Sequence, residues 1–570
     1  MSEKRASDGW DYEVDLMIVG SGAGAMMAAI VAHDRGASTL LIEKTDQYGG
    51  NSAMSGGALW IPNNPMMREA GVEDSREEAL TYLRSVTRGM VAEEKLETYI
   101  DTAPEMLDYA LKNTHLRVDC MLTYTDYYPD APGGKPGGRS VEPEHFDARR
   151  LGDDFALLRE PAVQELVFAR MSMTATEAHH ILARHPGWIG LTMRMMVRYW
   201  FDLVGRFKSK RDRCLSLGNA LVAPLRLSVK DRDIPLWLNT AMEDLVVEDG
   251  RVVGVVANKE GKSFRIRGRN GVLLAAGGFE RNQEMRTRYL PSPSRQEWTS
   301  GSPGNTGDAI LKGQQLGARL DLMDQAWWGP TSMVPGEWNA RILVIEKGLP
   351  HTIFVNKLGR RFVNEASPYV DIVESMYANH SAESPCVPAF MIFDANYRKK
   401  YPCGPFLQST QQPDWALPKR LRDGYLFKAA TLEELAAKLG IDPQGLAATV
   451  ATFNENARAG VDPDFHRGEG LFDKFYGDER VKPNPCLGPL EKAPFYGILA
   501  HAGEMGTKGG MVTDIRGKVL RDDSSPIPGL YAIGNSSASV MGPTYPGAGA
   551  TIGPAMTFGY LVAREVTPDV

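Results

Sequence analysis

Residues Val14 to Glu43 leave this chain few choices of fold. Val14-Asp-Leu-Met-Ile-Val19 is a short, apolar, β-leaning run, and Gly20-Ser-Gly22-Ala-Gly24-Ala25 follows it directly. An Ala-rich helical pattern continues to Gly36, and a second apolar run from Thr39 to Ile42 ends on Glu43. This is the βαβ dinucleotide fingerprint with the flanking strands and the acid it requires. Gly20 makes the tight turn, and Gly22 admits a pyrophosphate to the helix N-terminus. Ala25 fills the last small-residue position, and Glu43 can accept hydrogen bonds from a ribose diol. An acid at that place repels a 2′-phosphate, which disfavours NADP.

The motif alone does not separate NAD from FAD. The next segment bears on it, because Gly49-Gly50-Asn51-Ser52-Ala53-Met54-Ser55-Gly56-Gly57 is a second glycine- and hydroxyl-rich loop. Such a loop so soon after the ribose acid suits a long ligand wrapped along its pyrophosphate and ring system, although composition alone also allows an ordinary turn-rich surface loop. A third glycine-rich stretch, Gly534 to Tyr560, lies near the C-terminus, and no charged residue or histidine occurs between Asp523 and Arg564. Repeated Gly and Pro exclude a membrane-spanning helix there. Glycines let main-chain N–H groups approach a flat or anionic ligand, and Pro554 to Val562 reads as a short helix aimed at whatever they cradle. Tyr545 puts an aromatic hydroxyl into this otherwise inert backbone.

With 570 residues, more than one domain is expected. A formal net charge of −7 argues against nucleic acid as a partner. Cys120, Cys214, Cys386, Cys403 and Cys486 are scattered, with no C-x-x-C or metal-ligand spacing. They therefore suggest neither a disulfide framework nor a metal, and a reducing compartment. The first nine residues contain no apolar signal-peptide core, so a cytoplasmic location is the expectation.

Along the rest of the chain, Ser75 to Leu111 has helical periodicity. Tyr124, Tyr127 and Tyr128 precede a Pro/Gly turn, where they could simply pack their rings at a strand end. Between Trp188 and Phe207, the residues Arg194, Arg198, Asp202 and Arg206 share one helical face amid Met, Val, Trp, Tyr, Phe and Leu. That pattern fits a core helix with a solvated stripe; it also fits a helix lying on a bilayer or lining the route of a lipid-like substrate. Leu236 to Asn239, Met242 to Glu248 and Arg251 to Ala257 read as strands, the last two as a hairpin turning at Asp249-Gly250. Gly271 to Glu280 is a buried strand ending in a Gly-Gly turn, and Gly304 to Ile310 a helix start capped by polar residues. Ala430 to Ala459 reads as an amphipathic helical pair. The fold class expected is α/β with an α+β insert. A Rossmann-like FAD-binding domain is split into residues 1–282 and 491–570, with a catalytic domain inserted at 283–490.

Several blocks carry a resemblance: Gly20–Ala25 with Glu43, Gly49–Asn64, Ala275–Glu280, Gly304–Ile310 and Gly529–Tyr560. Together they resemble the fumarate reductase-like FAD flavoproteins. Trp60-Ile-Pro62, Pro368-Tyr369 and Tyr545-Pro-Gly-Ala-Gly549 make the chain similar to the 3-ketosteroid Δ1-dehydrogenases within that superfamily. Where fumarate reductases carry a His and an Arg for a dicarboxylate, the uncharged block offers Tyr545 and Gly549, which suits a neutral ketone. The resemblance implies FAD contacts from Gly20, Gly22, Gly24, Ala25, Glu43 and Lys44, and from Gly50, Asn51, Ser52, Ser55, Gly56 and Gly57. It implies further contacts from Ala276, Gly277, Gly534 and Asn535, and from Gly549, Thr551 and Ile552.

By the same resemblance, the substrate is a 3-oxosteroid desaturated at C1–C2 in steroid degradation. Tyr545 O–H and Gly549 N–H would hold its C3 oxygen. Tyr369 would take the C2 proton with Tyr127 as hydrogen-bond partner, and the hydride leaves from C1 to FAD. An external electron acceptor, unidentified by the sequence, must then reoxidise the cofactor. A 3-oxo-5α-steroid Δ4-dehydrogenase is the alternative, and a fumarate reductase-like enzyme or a flavin-binding electron-transfer subunit fits less well.

Overall fold

The strand that opens the fingerprint, β1 (Tyr12–Val19), is buried on both faces. Leu16 and Ile18 face one apolar core while Met17 and Val19 face another. That is the environment of a parallel strand covered on both sides. The computed structural model describes residues 9–168, 170–182 and 186–567; residues 1–8, most of the segment read for a signal peptide, lie outside them. α1 (Ala23–Asp34) and β2 (Thr39–Ile42) follow where the sequence predicts them. α2 (Gly50–Met54) and β3 (Leu59–Trp60) are built from the second glycine loop and the Trp60 motif.

The first sheet runs β4-β2-β1-β7-β6-β5, where β4 is Leu236–Trp237, β5 Thr240–Glu248, β6 Arg251–Lys259 and β7 Lys262–Leu274. β1 is parallel to β2 and β7, and β4 is parallel to β2. The hairpin turning at Asp249-Gly250 hydrogen-bonds antiparallel to the first part of β7. The last residues of β7, Val272–Leu274, accept a parallel partner from far down the chain, Leu530–Ala532.

A second sheet is antiparallel throughout. Its strands are β8 (Ala326–Ser332), β9 (Arg341–Ile342), β10 (Thr352–Val355), β11 (Ala389–Phe393), β12 (Phe427–Ala429) and β13 (Phe495–Thr507). The order is β9-β8-β13-β11-β10, with β12 also on β13. Although β13 follows residue 491, its ladder partners are β8, β11 and β12 of this second sheet; the return to the first sheet comes later, through β14 (Pro526–Ala532). The chain closes with α3 (Ile552–Val566), which starts two residues earlier than the Pro554 signal suggests. A Cβ on Gly24 would lie 2.5 Å from the Ala555 carbonyl oxygen, so glycine lets the first and last helices touch through their main chains.

Three expectations need correction. Ser75–Leu111 is two helices, Arg76–Thr87 and Glu93–Asn113, separated where Arg88 turns to φ +56°. The helix after Gly304 begins at Asp308 behind Gly307 and has no side-chain cap. Trp188–Phe207 breaks at Asp202 into Trp188–Phe201 and a short helix from Leu203, with the Asp202 carboxylate accepting the Gly205 N–H at 3.2 Å. Beyond Arg194, which is exposed, its orientation also inverts the solvated-stripe pattern. Arg198 donates to the Ser172 carbonyl, Asp202 pairs with Arg213, and Arg206 stacks on Tyr199. Meanwhile Trp200, Phe201, Val204 and Phe207 are exposed.

Candidate active site

The dinucleotide end of the site is built by main chain. Gly20 has φ +113° and approaches Ala275 so closely that a Cβ would sit 2.2 Å from its carbonyl oxygen. Gly22 precedes the first turn of α1, and the Ala23 N–H there donates to Ser52 Oγ at 3.1 Å, which binds the two glycine loops together. At the end of β2 the Glu43 carboxylate accepts from Ser21 Oγ at 2.6 Å and from the Thr45 N–H at 3.0 Å, and so is fixed toward the turn. Lys44 forms an ion pair with Asp308 at 2.5 Å at the same edge. Asn51 donates to Glu280 and to the Met505 carbonyl, and Ser55 Oγ accepts the Gly57 N–H. Gly50 and Gly56 have open space where a side chain would project. Ser536 Oγ accepts from the Ala276 N–H and donates to the Gly277 carbonyl, clamping the strand end to the Gly534–Ser536 turn.

Farther along the same cavity three phenols converge from distant parts of the chain. The Tyr127 and Tyr369 hydroxyls are 2.7 Å apart. Ring centroids are separated by 5.4 Å for Tyr127–Tyr369, 5.1 Å for Tyr127–Tyr545 and 5.6 Å for Tyr369–Tyr545. Tyr369 is the first residue of α4 (Tyr369–Ala378), behind Pro368, so it stands at the positive end of the helix. The Tyr127 N–H donates to the Pro546 carbonyl at 2.9 Å and Tyr82 O–H donates to the same oxygen at 2.6 Å, which ties Tyr127 to the loop carrying Tyr545. Thr551 Oγ donates to the Tyr545 hydroxyl at 3.3 Å. Gly549, at φ +94°, lies against β3, where a Cβ would meet the Ala58–Leu59 main chain at 2.5 Å.

The three neighbouring tyrosines have separate partners. Tyr124 bonds to Tyr476, Tyr127 to Tyr369, and Tyr128 donates to Asp371 at 2.7 Å. Burial pushes the Tyr369 and Tyr127 hydroxyls well above the ordinary tyrosine value, and it raises Tyr545 as well. The hydrogen bond from Tyr127 works against burial at Tyr369. Every FAD and catalytic position named from the sequence lines one cavity of about 1650 Å3. Ordinary small-molecule sites occupy about 300–1000 Å3, so this one has room for two ligands end to end.

Sequence reasoning missed several contributors. Trp327 on β8 packs edge-on against Tyr545 at 4.8 Å and donates from Nε1 to Asn535 Oδ1 at 3.0 Å, joining the two ends of the site. Asn305 supports Glu280 at 2.6 Å, behind Asn51. Tyr401 and Phe406 line the cavity from a segment without any recognisable motif.

Comparison with known proteins shows the family of the chain. Residues 15–552 match the FAD binding domain family. A 3-oxosteroid 1-dehydrogenase of Mycolicibacterium smegmatis is 44% identical, with 97% of each chain covered. One of Mycobacterium tuberculosis is 46% identical over 97% of this chain and 98% of that protein. The crystal structure of 3-ketosteroid Δ1-dehydrogenase from Sterolibacterium denitrificans in complex with 1,4-androstadiene-3,17-dione superposes with a TM-score of 0.95 at 48% identity, covering 97% of this chain and 99% of that one. The chain therefore belongs to the FAD-binding domain family and, within it, to the family of the 3-oxosteroid 1-dehydrogenases. Its overall architecture is mixed α/β and its cofactor is FAD. The residues fit that group: Gly20 and Gly22 leave main chain bare at a helix start, and Glu43 is aimed at the turn.

Proposed function

We propose that the protein desaturates the C1–C2 bond of a 3-oxosteroid in steroid degradation, with the tyrosine end of the cavity holding the steroid A-ring. The single observation that carries this reading is the convergence of Tyr127, Tyr369 and Tyr545 beside the glycine-lined end. In this reading the first sheet is a Rossmann-like FAD domain, contributed by residues 1–282 and the C-terminal part of the chain. The second sheet belongs to the inserted catalytic domain.

Tyr545 O–H and the Gly549 N–H hold the C3 oxygen and stabilise the charge that gathers on it as the C2–H bond breaks. One such donor is worth about 3–4 kcal/mol. Tyr369 takes the C2 proton. Its phenolate is favoured by the hydrogen bond from Tyr127 and by the N-terminus of α4, and disfavoured by burial. A base with a raised pKa makes the rate climb as pH rises through the neutral and mildly alkaline range. Gly20, Gly22, Glu43 and Asn51 are among the residues that would hold FAD, whose flavin would supply the acceptor for the hydride leaving C1. An external electron acceptor then completes the cycle.

The test is anaerobic mixing of the yellow holoenzyme with a 3-oxo-4-ene steroid, following flavin absorbance and identifying the product. Bleaching with formation of the 1,4-diene is expected. Bleaching only with the 5α-saturated ketone, giving the 4-ene, would move the assignment to a Δ4-dehydrogenase.

A second reading concerns where the enzyme works. The exposed Ile189, Met193, Trp200, Phe201, Leu203 and Phe207 support peripheral attachment of a cytoplasmic enzyme to a bilayer. Trp188, Thr192 and Met195 of the same segment line the cavity, so an apolar ketone could enter from the lipid side. Among the described residues no helix is long and apolar enough to cross a membrane, which leaves surface attachment as the form to test. Replacing Phe201 and Phe207 by serine should lower co-sedimentation with liposomes; unchanged co-sedimentation would remove this reading.

A further inference from the structure

Two buried lysines lie just behind the phenols, and both donate to main-chain carbonyls. Lys508 leaves the end of β13, and its Nζ donates to the Pro543 carbonyl at 2.6 Å and the Thr544 carbonyl at 2.7 Å. Thr544 is the residue before Tyr545. The same Nζ lies 4.6 Å from the centroid of the Trp327 ring, which packs edge-on against Tyr545. Lys347 Nζ donates to the Glu365 carbonyl at 3.1 Å and to the Ser367 carbonyl. Ser367 is two residues before Tyr369. Two chain entries, one to each phenol, thus end in the same kind of clamp.

An ammonium group is expensive to bury, and carbonyl acceptors do not neutralise it. Burial lowers Lys508 to about 7 and Lys347 to about 8. Carboxylates act on both without a direct ion pair among the described residues. Asp473 acts electrostatically on Lys347 and Glu374 on Lys508, and Asp371, in the first turn of α4 and bonded by Tyr128, acts on both. A buried aliphatic side chain would cost less at either place unless the carbonyls needed holding. Those carbonyls border Pro368 and the Gly542–Gly549 loop. The loop is rich in glycine and proline and is held largely through its carbonyls: Tyr127 N–H and Tyr82 O–H take Pro546 on one side of Tyr545, and Lys508 takes Pro543 and Thr544 on the other.

We propose that Lys347 and Lys508 are positioning residues for the desaturation, each clamping the chain that enters one phenol so that Tyr369 and Tyr545 are held to opposite tasks on one substrate ring. This rests on the functional reading given above. Its physical content is distance. Reacting atoms must be held at near-attack separation, and a misplacement of about 1 Å costs on the order of 10²-fold in rate. Neither lysine need touch substrate or FAD to matter.

The experiment uses the holoenzyme and anaerobic single turnover with a saturating 3-oxo-4-ene steroid. Bleaching by the wild-type protein tests the functional reading, and the variants are compared only once that is seen. Lys508→Met and Lys347→Met are expected to slow bleaching about 10- to 100-fold. Steroid Kd should change less than about threefold and FAD content per folded chain should stay the same. Lys508→Gln, which keeps amide donors for the two carbonyls, should recover part of the rate that Lys508→Met loses. That rescue separates clamping from mere core stability. The proposal is overturned if either methionine variant, folded and FAD-loaded, bleaches at the wild-type rate, or if the loss only tracks lost FAD. It is also overturned if Lys508→Gln is no faster than Lys508→Met. Should the methionine variants fail to fold, Lys508→Leu and Lys347→Leu, which also lack a donor, decide: a wild-type rate per flavin in either refutes the clamp.

Discussion

A ligand at one end of the cavity would meet peptide groups bared by Gly20, Gly22, Gly50 and Gly56, and at the other it would meet the hydroxyls of Tyr127, Tyr369 and Tyr545. The first end comes mainly from sequence-adjacent segments whose strands and helix start are fixed by the first sheet. The second draws one side chain each from three segments more than a hundred residues apart, held together by bonds such as Tyr127 N–H to Pro546. The difference teaches how each end fails. A glycine cradle fails by steric exclusion, in which the cofactor or the fold is lost. A hydroxyl cluster fails by chemistry, with the fold and cofactor intact.

The largest expected effect tests the second half of that contrast. Tyr369→Phe should lower the rate of flavin bleaching by a 3-oxosteroid by about 10²- to 10⁴-fold, the range for losing a positioned base. Flavin content and thermal midpoint should stay near wild type. Stopped-flow absorbance under anaerobic conditions gives the rate, and a loss of bound flavin instead would dissolve the contrast. Next in size is Tyr545→Phe, expected to cost about 3–4 kcal/mol of transition-state stabilisation, or roughly 10²- to 10³-fold in kcat. A change confined to KM would mean that the hydroxyl binds ground state and transition state alike.

The cradle should break in the other manner. Gly57 has φ +70°, and a Cβ there would lie 2.4 Å from the Leu217 carbonyl carbon. Gly57→Ala should therefore destabilise the fold by about 1–3 kcal/mol from backbone strain alone and reduce FAD stoichiometry. The rate per bound flavin should change little. Absorbance ratio and thermal denaturation measure both, and a variant with full flavin and slow chemistry would show that the cradle also tunes reactivity.

The same contrast explains what could be read from the sequence. The turn from Gly20 to Ala25 and the acid Glu43 are legible because a sheet edge and a helix start impose fixed spacings on adjacent residues. Thr39–Ile42 is a strand at the bounds the sequence predicts for the same reason. Tyr369 carries no such local mark: a tyrosine after proline is an ordinary helix start, and only the family resemblance singles it out. Trp327 and the Tyr401–Phe406 wall were invisible because their contribution is purely tertiary. The exposed apolar face of Trp188–Phe207 was ambiguous because periodicity gives two faces without saying which points inward. Here Arg198 reaches the buried Asp212 and Asp202 pairs with the half-buried Arg213, and so the charged face turns in from Arg198 onward, while Arg194 stays exposed.

The smallest of the four effects asks how far the hydroxyls depend on one another. Tyr127 stabilises the ionised form of Tyr369 through the 2.7 Å hydrogen bond, while burial opposes ionisation of both. Removing the Tyr127 hydroxyl leaves burial unopposed by that bond, so the pKa of Tyr369 should rise further. The base then ionises at higher pH. In Tyr127→Phe the limb of kcat/KM that climbs with pH should move to more alkaline values, and the rate at neutral pH should fall by about tenfold, the equivalent of 1.4 kcal/mol. At sufficiently alkaline pH the variant should approach the wild-type rate, because the base itself is intact. A pH–rate profile separates these cases. A uniform fall at every pH would mean that Tyr127 acts by packing against Tyr369 and Tyr545, and a shift toward acid would reverse the sign of its proposed support.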